Sequence, residues 1–225
     1  MNLKEYLHIL FSSDHPLPMS RAERTLFYAS VFLRVVLAFA IAWAAWHQQW
    51  FTLFVSSLAF FLCAMPSIIE RNYRIHFPIE FEFFVTLFIY ASLFLGEIHS
   101  YYTRFWWWDL VLHAGSGIGL GLCGFLLLYL LTKEKKLKTS PILTALFIFS
   151  FALAMGTLWE IFEFTMDQLF GTSMQKSGLM DTMGDLIVDG LGALVVSVAS
   201  WVYFKLKKQG FIVSVIKKFR KLNKW

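Results

Sequence analysis

Three groups of side chains stand out for the chemistry their types and spacing allow. Glu160, Glu163 and Asp167 are spaced i, i+3, i+7, so on a helix turning about 100° per residue they form one acidic stripe among aromatic neighbours. Asp181, Asp185 and Asp189 follow at i, i+4, i+8, a drift of only about 40° per step along one helix face. Asp109 and His113 are i, i+4 and share a face as well. Left alone, such a cluster repels itself and holds some of its acids protonated, whereas a bound cation resolves the conflict. Carboxylates with an imidazole suit Mg²⁺, Mn²⁺, Ca²⁺ or Zn²⁺, and helices that each supply spaced acids build carboxylate-rich metal sites in bundles. Asp109, His113, Glu160, Glu163, Asp185 and Asp189 are therefore the candidate metal ligands. Asp109 and Asp181, where helices begin, also suit N-caps, and Asp167 and Glu97 suit solvated positions at an interface.

The elements that must position these groups lie in lipid. Of 225 residues 58% are hydrophobic and 19% aromatic, outside the range of soluble globular domains. Six apolar stretches, near 25–46, 50–69, 80–98, 108–131, 141–165 and 183–204, are each long enough for a hydrocarbon core of about 30 Å. The expected fold is an all-α polytopic bundle in the bacterial plasma (inner) membrane. Its parts are a segment 1–24, a six-helix transmembrane domain 25–204 and a basic amphipathic tail 205–225 lying on the anionic cytoplasmic leaflet. Lys4, Glu5, Asp14, Arg21 and Arg24 make the N-terminal segment unlike a cleavable signal, so the first span reads as a retained anchor. Cys63 and Cys123 fall inside apolar runs and read as small buried hydrophobes. The net charge of +5 sits at span ends and in the tail, which excludes nucleic acid as the natural partner.

Lysine and arginine place the loops. Seventeen fall before the first span, in the second and fourth connections and in the tail, against two, Arg104 and Lys176, in the others. The excess puts both termini in the cytoplasm and the first, third and fifth connections outside. Eight of the 15 acids then lie in the outer half of the chain. A carboxylate at mid-membrane costs about 2.5–3.5 kcal/mol on insertion scales, so Glu160, Glu163, Asp185 and Asp189 need partners. The three acid pairs sit at similar depth, and their side chains are expected to converge, with Trp159 near the wall. Arg34, inside the first span, either pairs with an acid or, like Arg104, meets substrate charge. The second span is expected to end near Pro66 to Ile69. Gly119 to Gly124 spells G-x-G-x-x-G but falls within a span, so it is no nucleotide loop. Gly117 and Gly121 instead suit close contact with another helix.

The order Trp107-Trp108-Asp109-x-x-x-His113, a glycine-rich span, Trp159-Glu160-x-x-Glu163 and Asp181-x-x-x-Asp185-x-x-x-Asp189-x-x-Gly192 resembles the YjdF-like family of bacterial inner-membrane proteins over residues 20 to 205. More distantly it is similar to the VanZ-like family, one of whose members is linked to glycopeptide resistance. Asp189 stands where that family is expected to have Asn and Glu163 where Gln is expected. The resemblance implies topology and motif boundaries, not a reaction.

Three functions fit these residues. One is an outward-facing, metal-dependent enzyme that hydrolyses or transfers a group on a lipid or lipid-linked substrate. Glu160, Glu163 and Asp185 would carry the chemistry, and Arg34, Arg104 and Trp159 would meet the substrate. The second is a cation transporter with the acids as its path. The third is a non-enzymatic structural or stress-related protein in which the acids pair with Arg34 and hydroxyls. Oligomeric state has no signature in the chain.

Overall fold

A computed structural model describes residues 18–73, 75–133, 138–206 and 210–223. Of the charges counted above, Lys4, Glu5, Asp14, Arg74, Lys135, Lys136, Lys207, Lys208 and Lys224 lie outside these residues. Among the described residues the regular structure is entirely helical. Six helices are long and apolar enough to cross a membrane: α1 (Arg21–Trp46), α2 (Trp50–Tyr73), α3 (Ile79–Ile98), α4 (Trp108–Lys133), α5 (Pro141–Phe170) and α6 (Leu179–Leu206). A single turn, Tyr101–Arg104, precedes α4, and a short helix, α7 (Phe211–Leu222), follows α6. The chain is a multi-pass protein of the inner membrane.

Several helices begin or end beyond the apolar windows because polar residues cap them. Ser20 and Glu23 form a reciprocal capping box at the start of α1, satisfying two N–H groups that the first turn leaves unpaired. Ser140 accepts from Leu143 N, with Pro141 in the first turn of α5, where a missing N–H costs nothing. The second span runs a few residues past the end expected near Pro66 to Ile69. The proline lies inside α2, which continues to Tyr73, because a backbone in lipid has no water with which to replace its helical hydrogen bonds. In α3 the α-helix gives way at Tyr90 to π-helical turns that run to Ile98.

The helices form two compact units, residues 1–106 with 217–225, and residues 107–216. In the first, α1, α2 and α3 pack around Leu37, Ala59, Cys63 and Phe94. Arg34 is buried there, within electrostatic reach of Glu82 and Cys63. The end of α7 is seated in the same unit. Lys218 pairs with Glu23 and with Glu80, Phe219 stacks on Phe77, and the Asn223 amide bonds the backbone of His76 through both its oxygen and its nitrogen. Burial alone would lower the pKa of the Lys218 ammonium; its bonds to the two glutamates raise it above the usual lysine value.

In the second unit α4, α5 and α6 are mutual neighbours around Phe125, Ile148 and Val196. Lipid offers an apolar side chain much the same surroundings as a protein interior, so contact here depends on close approach rather than on escape from water. Glycines supply that approach. A Cβ built on Gly117 would collide with the carbonyl oxygen of Asp189, and one on Gly192 with the carbonyl oxygen of Ala114, so the backbones of α4 and α6 touch directly. Gly121 lies against Val196.

Candidate metal centre

The same close approach brings the charged side chains together. His113 enters from the first turns of α4, Glu160 from the second half of α5, and Asp185 and Asp189 from the first turns of α6. All four are buried. Gly156, one turn before Glu160, is part of the reason: a Cβ there would strike Asp189 Oδ2, so glycine lets α5 close over that carboxylate.

The imidazole of His113 lies at the middle, with its two nitrogens facing different partners. Nδ1 is 3.3 Å from Asp189 Oδ2, and the other oxygen of Asp189 accepts a 2.7 Å hydrogen bond from Ser116 Oγ. A carboxylate can only accept, so this pairing places a proton on Nδ1 and turns Nε2 toward the remaining acids. Nε2 faces Asp109 Oδ1 at 3.7 Å, Glu160 Oε1 at 3.9 Å and Asp185 Oδ2 at 4.0 Å. Donor atoms of His113, Glu160 and Asp185 all lie within 4.8 Å of one another. Ligands about 2.0–2.2 Å from a shared ion stand roughly 3–4 Å apart, so a divalent cation fits among these three with little adjustment.

Glu160 tests that fit. Its residue is 3% exposed, and neither carboxylate oxygen accepts a well-formed hydrogen bond, its polar neighbours being the side chains of Thr182 and Gln175 and the His113 imidazole. A buried carboxylate without well-formed hydrogen bonds is costly. A cation between Glu160, Asp185 and His113 Nε2 would remove the cost, and an imidazole oriented through its other nitrogen by a carboxylate is a recurrent support for such an ion.

Of the remaining predicted residues, those of the second unit lie near this group and the two arginines do not belong to that unit. Glu163, one turn beyond Glu160, accepts a 2.9 Å hydrogen bond from the indole N–H of half-exposed Trp159. Asp109 and Asp181 lie inside the first turns of α4 and α6 rather than at N-caps. Donor atoms of these two, with Asp185, form a second group within 4.8 Å. Asp167 holds the loop after α5, accepting from Thr172 Oγ1 and from the backbone N–H groups of Met174 and Gln175. Arg34 and Arg104 belong to the first unit, so the geometry of the second assigns them no part. Sequence reading gave no role to Ser116, Gly156 or Lys176. Ser116 had a usable signal, since it lies three residues after His113 on the same helix face. Lys176, whose Nζ is 2.7 Å from Asp109 Oδ2, is a partner that only the fold identifies.

These features define a class: a polytopic helical membrane protein with a buried histidine–carboxylate cluster able to coordinate a metal ion. The chain belongs to the family described as "Predicted membrane protein (DUF2238)", which matches residues 29–206. It is also similar to a Thermotoga maritima protein described as "Uncharacterized protein", with 28% identity over 127 residues, spanning 56% of this chain and 65% of that one. No solved structure matches the chain.

Proposed function

We propose that the protein is an outward-facing, divalent-metal-dependent membrane enzyme that hydrolyses or transfers a group on a lipid or lipid-linked substrate. The observation that carries this reading is the buried carboxylate of Glu160, whose oxygens accept no well-formed hydrogen bond, beside His113 Nε2 and Asp185. His113, Glu160 and Asp185 hold the ion, and three protein ligands leave positions for water and substrate, as in catalytic rather than structural sites. Such an ion polarises an ester and makes bound water acidic enough to act near neutral pH. Asp189, steadied by Ser116, is the positioning residue for the His113 ring. Glu163, held by Trp159, is the candidate acceptor for a proton from that water. The apolar cluster of Phe125, Ile148 and Val196 in the same unit favours a site over a continuous ion path. The order of the tryptophan, aspartate, histidine and glutamate motifs supports placing the chain with the YjdF-like proteins. The lysine and arginine distribution supports cytoplasmic termini, with α7 at the cytoplasmic face.

Incubating the metal-loaded protein with a total inner-membrane lipid extract is expected to deplete a lipid species, by mass spectrometry, and Glu160→Gln is expected to leave it untouched. An unchanged lipid profile in both would favour the non-enzymatic reading. Sidedness has its own check. In a background without Cys63 and Cys123, an impermeant maleimide should label Ser177→Cys from outside intact cells and Lys138→Cys only after lysis. Matching behaviour at the two positions would defeat the outward-facing site.

A further inference from the structure

The cluster offers two overlapping groups of donors, His113/Glu160/Asp185 and Asp109/Asp181/Asp185, with Asp185 common to both. On ligand spacing alone it could be taken for a two-metal site. The second group differs from the first in one respect: a cation is already there. Lys176 Nζ is 2.7 Å from Asp109 Oδ2, and the backbone N–H of the same residue bonds Asp181 Oδ2 at 3.0 Å. Lys176 therefore spans two of the three acids. Asp109 turns its other oxygen, Oδ1, toward His113 Nε2, so this carboxylate links the lysine to the first group.

The loop that carries Lys176 is fixed at several points. It runs from Gly171 to Gly178, both in the left-handed conformation that glycine adopts without strain (φ 65° and 62°). Asp167 accepts three hydrogen bonds from it, and Gln175 Nε2 donates to Thr182 Oγ1 at 2.7 Å. Among the described residues of 107–216, Lys176 is the only lysine or arginine at this end of the helices; Lys133, Lys138 and Lys205 mark the other end.

We infer that Lys176 is a tethered cation that fills the second position of this cluster, so that the protein takes one divalent ion rather than two. The inference rests on the metal reading above and specifies its stoichiometry and its charge balance. An ammonium on a loop supplies one positive charge at Asp109 while the backbone N–H of the same residue holds Asp181, without presenting open coordination positions, which confines metal chemistry to the His113 side. It also couples the loop to the site, because any ion entering the second group must displace Lys176 from Asp109.

Equilibrium dialysis of the detergent-purified full chain against Mn²⁺, followed by elemental analysis, tests this. Native protein is expected to hold one ion per chain, Lys176→Met two, and Lys176→Arg, which keeps the charge, one. Adding Asp181→Asn to Lys176→Met should return the count to one. Two ions in the native protein, or one in Lys176→Met, would overturn the inference while leaving the metal site intact. No ion in the native protein would overturn the metal reading and this inference with it.

Discussion

Glu160→Gln is expected to reduce affinity for a divalent cation by about a hundredfold or more while leaving the helices in place. The amide keeps the volume and shape of the carboxylate and removes the charge that a hard cation requires. Substitutions behind metal ligands already cost about 10–100-fold, and on the reading proposed above Glu160 would touch the ion itself. Asp189→Asn, which weakens the hold on His113 Nδ1 but leaves the three donors untouched, should fall in that lower range. The opposite outcome is equally definite. If the acids serve only to join helices, Glu160→Gln relieves a buried carboxylate of its desolvation cost and leaves thermal stability unchanged or raised. Titration calorimetry with Mn²⁺ and a melting curve without metal, run on both variants, separate the two accounts.

Gly117→Leu should produce a large loss of stability in the second unit. Even its Cβ would meet the Asp189 carbonyl oxygen, and backbone yields less readily than the end of a side chain. Overpacking typically costs about 1–3 kcal/mol, and here relief requires α4 and α6 to separate. That separation would also move Asp189 away from His113, so metal affinity should fall with the melting temperature. Gly115, two residues earlier, has nothing within 4 Å of where its Cβ would lie, and Gly115→Leu is expected to be tolerated. Equal melting temperatures for the two variants in the same detergent would show that the glycine contact does not hold the helices.

Much of this was legible in the chain because lipid imposes strong rules. A backbone in hydrocarbon must satisfy its own hydrogen bonds, which for one continuous apolar run means a helix of about 20 residues, so apolar stretches and their lysine-rich flanks reveal the spans. The sharing of faces by Asp109 and His113, and by Asp185 and Asp189, follows from helical periodicity alone. What the chain did not reveal depends on how helices meet. The distinct sides of His113, with Asp189 at Nδ1 and Glu160 and Asp185 near Nε2, are set by the rotation of α5 and α6 about their axes, which spacing within one helix cannot specify. Lys176 read as a minor count in a topology argument, yet its loop folds back through Asp167 and brings it to Asp109, 67 residues away.

The central claim is that His113, Glu160 and Asp185 hold a divalent cation, and density at that point in protein prepared with metal tests it most directly. Elemental analysis of the purified chain, read beside a crystallographic or electron-microscopic map, is expected to give one ion per chain bonded to His113 Nε2 and to an oxygen of each carboxylate. After supplementation with Mn²⁺ and Zn²⁺, a map without an ion, in which the carboxyl groups share protons in direct hydrogen bonds with one another, would contradict it.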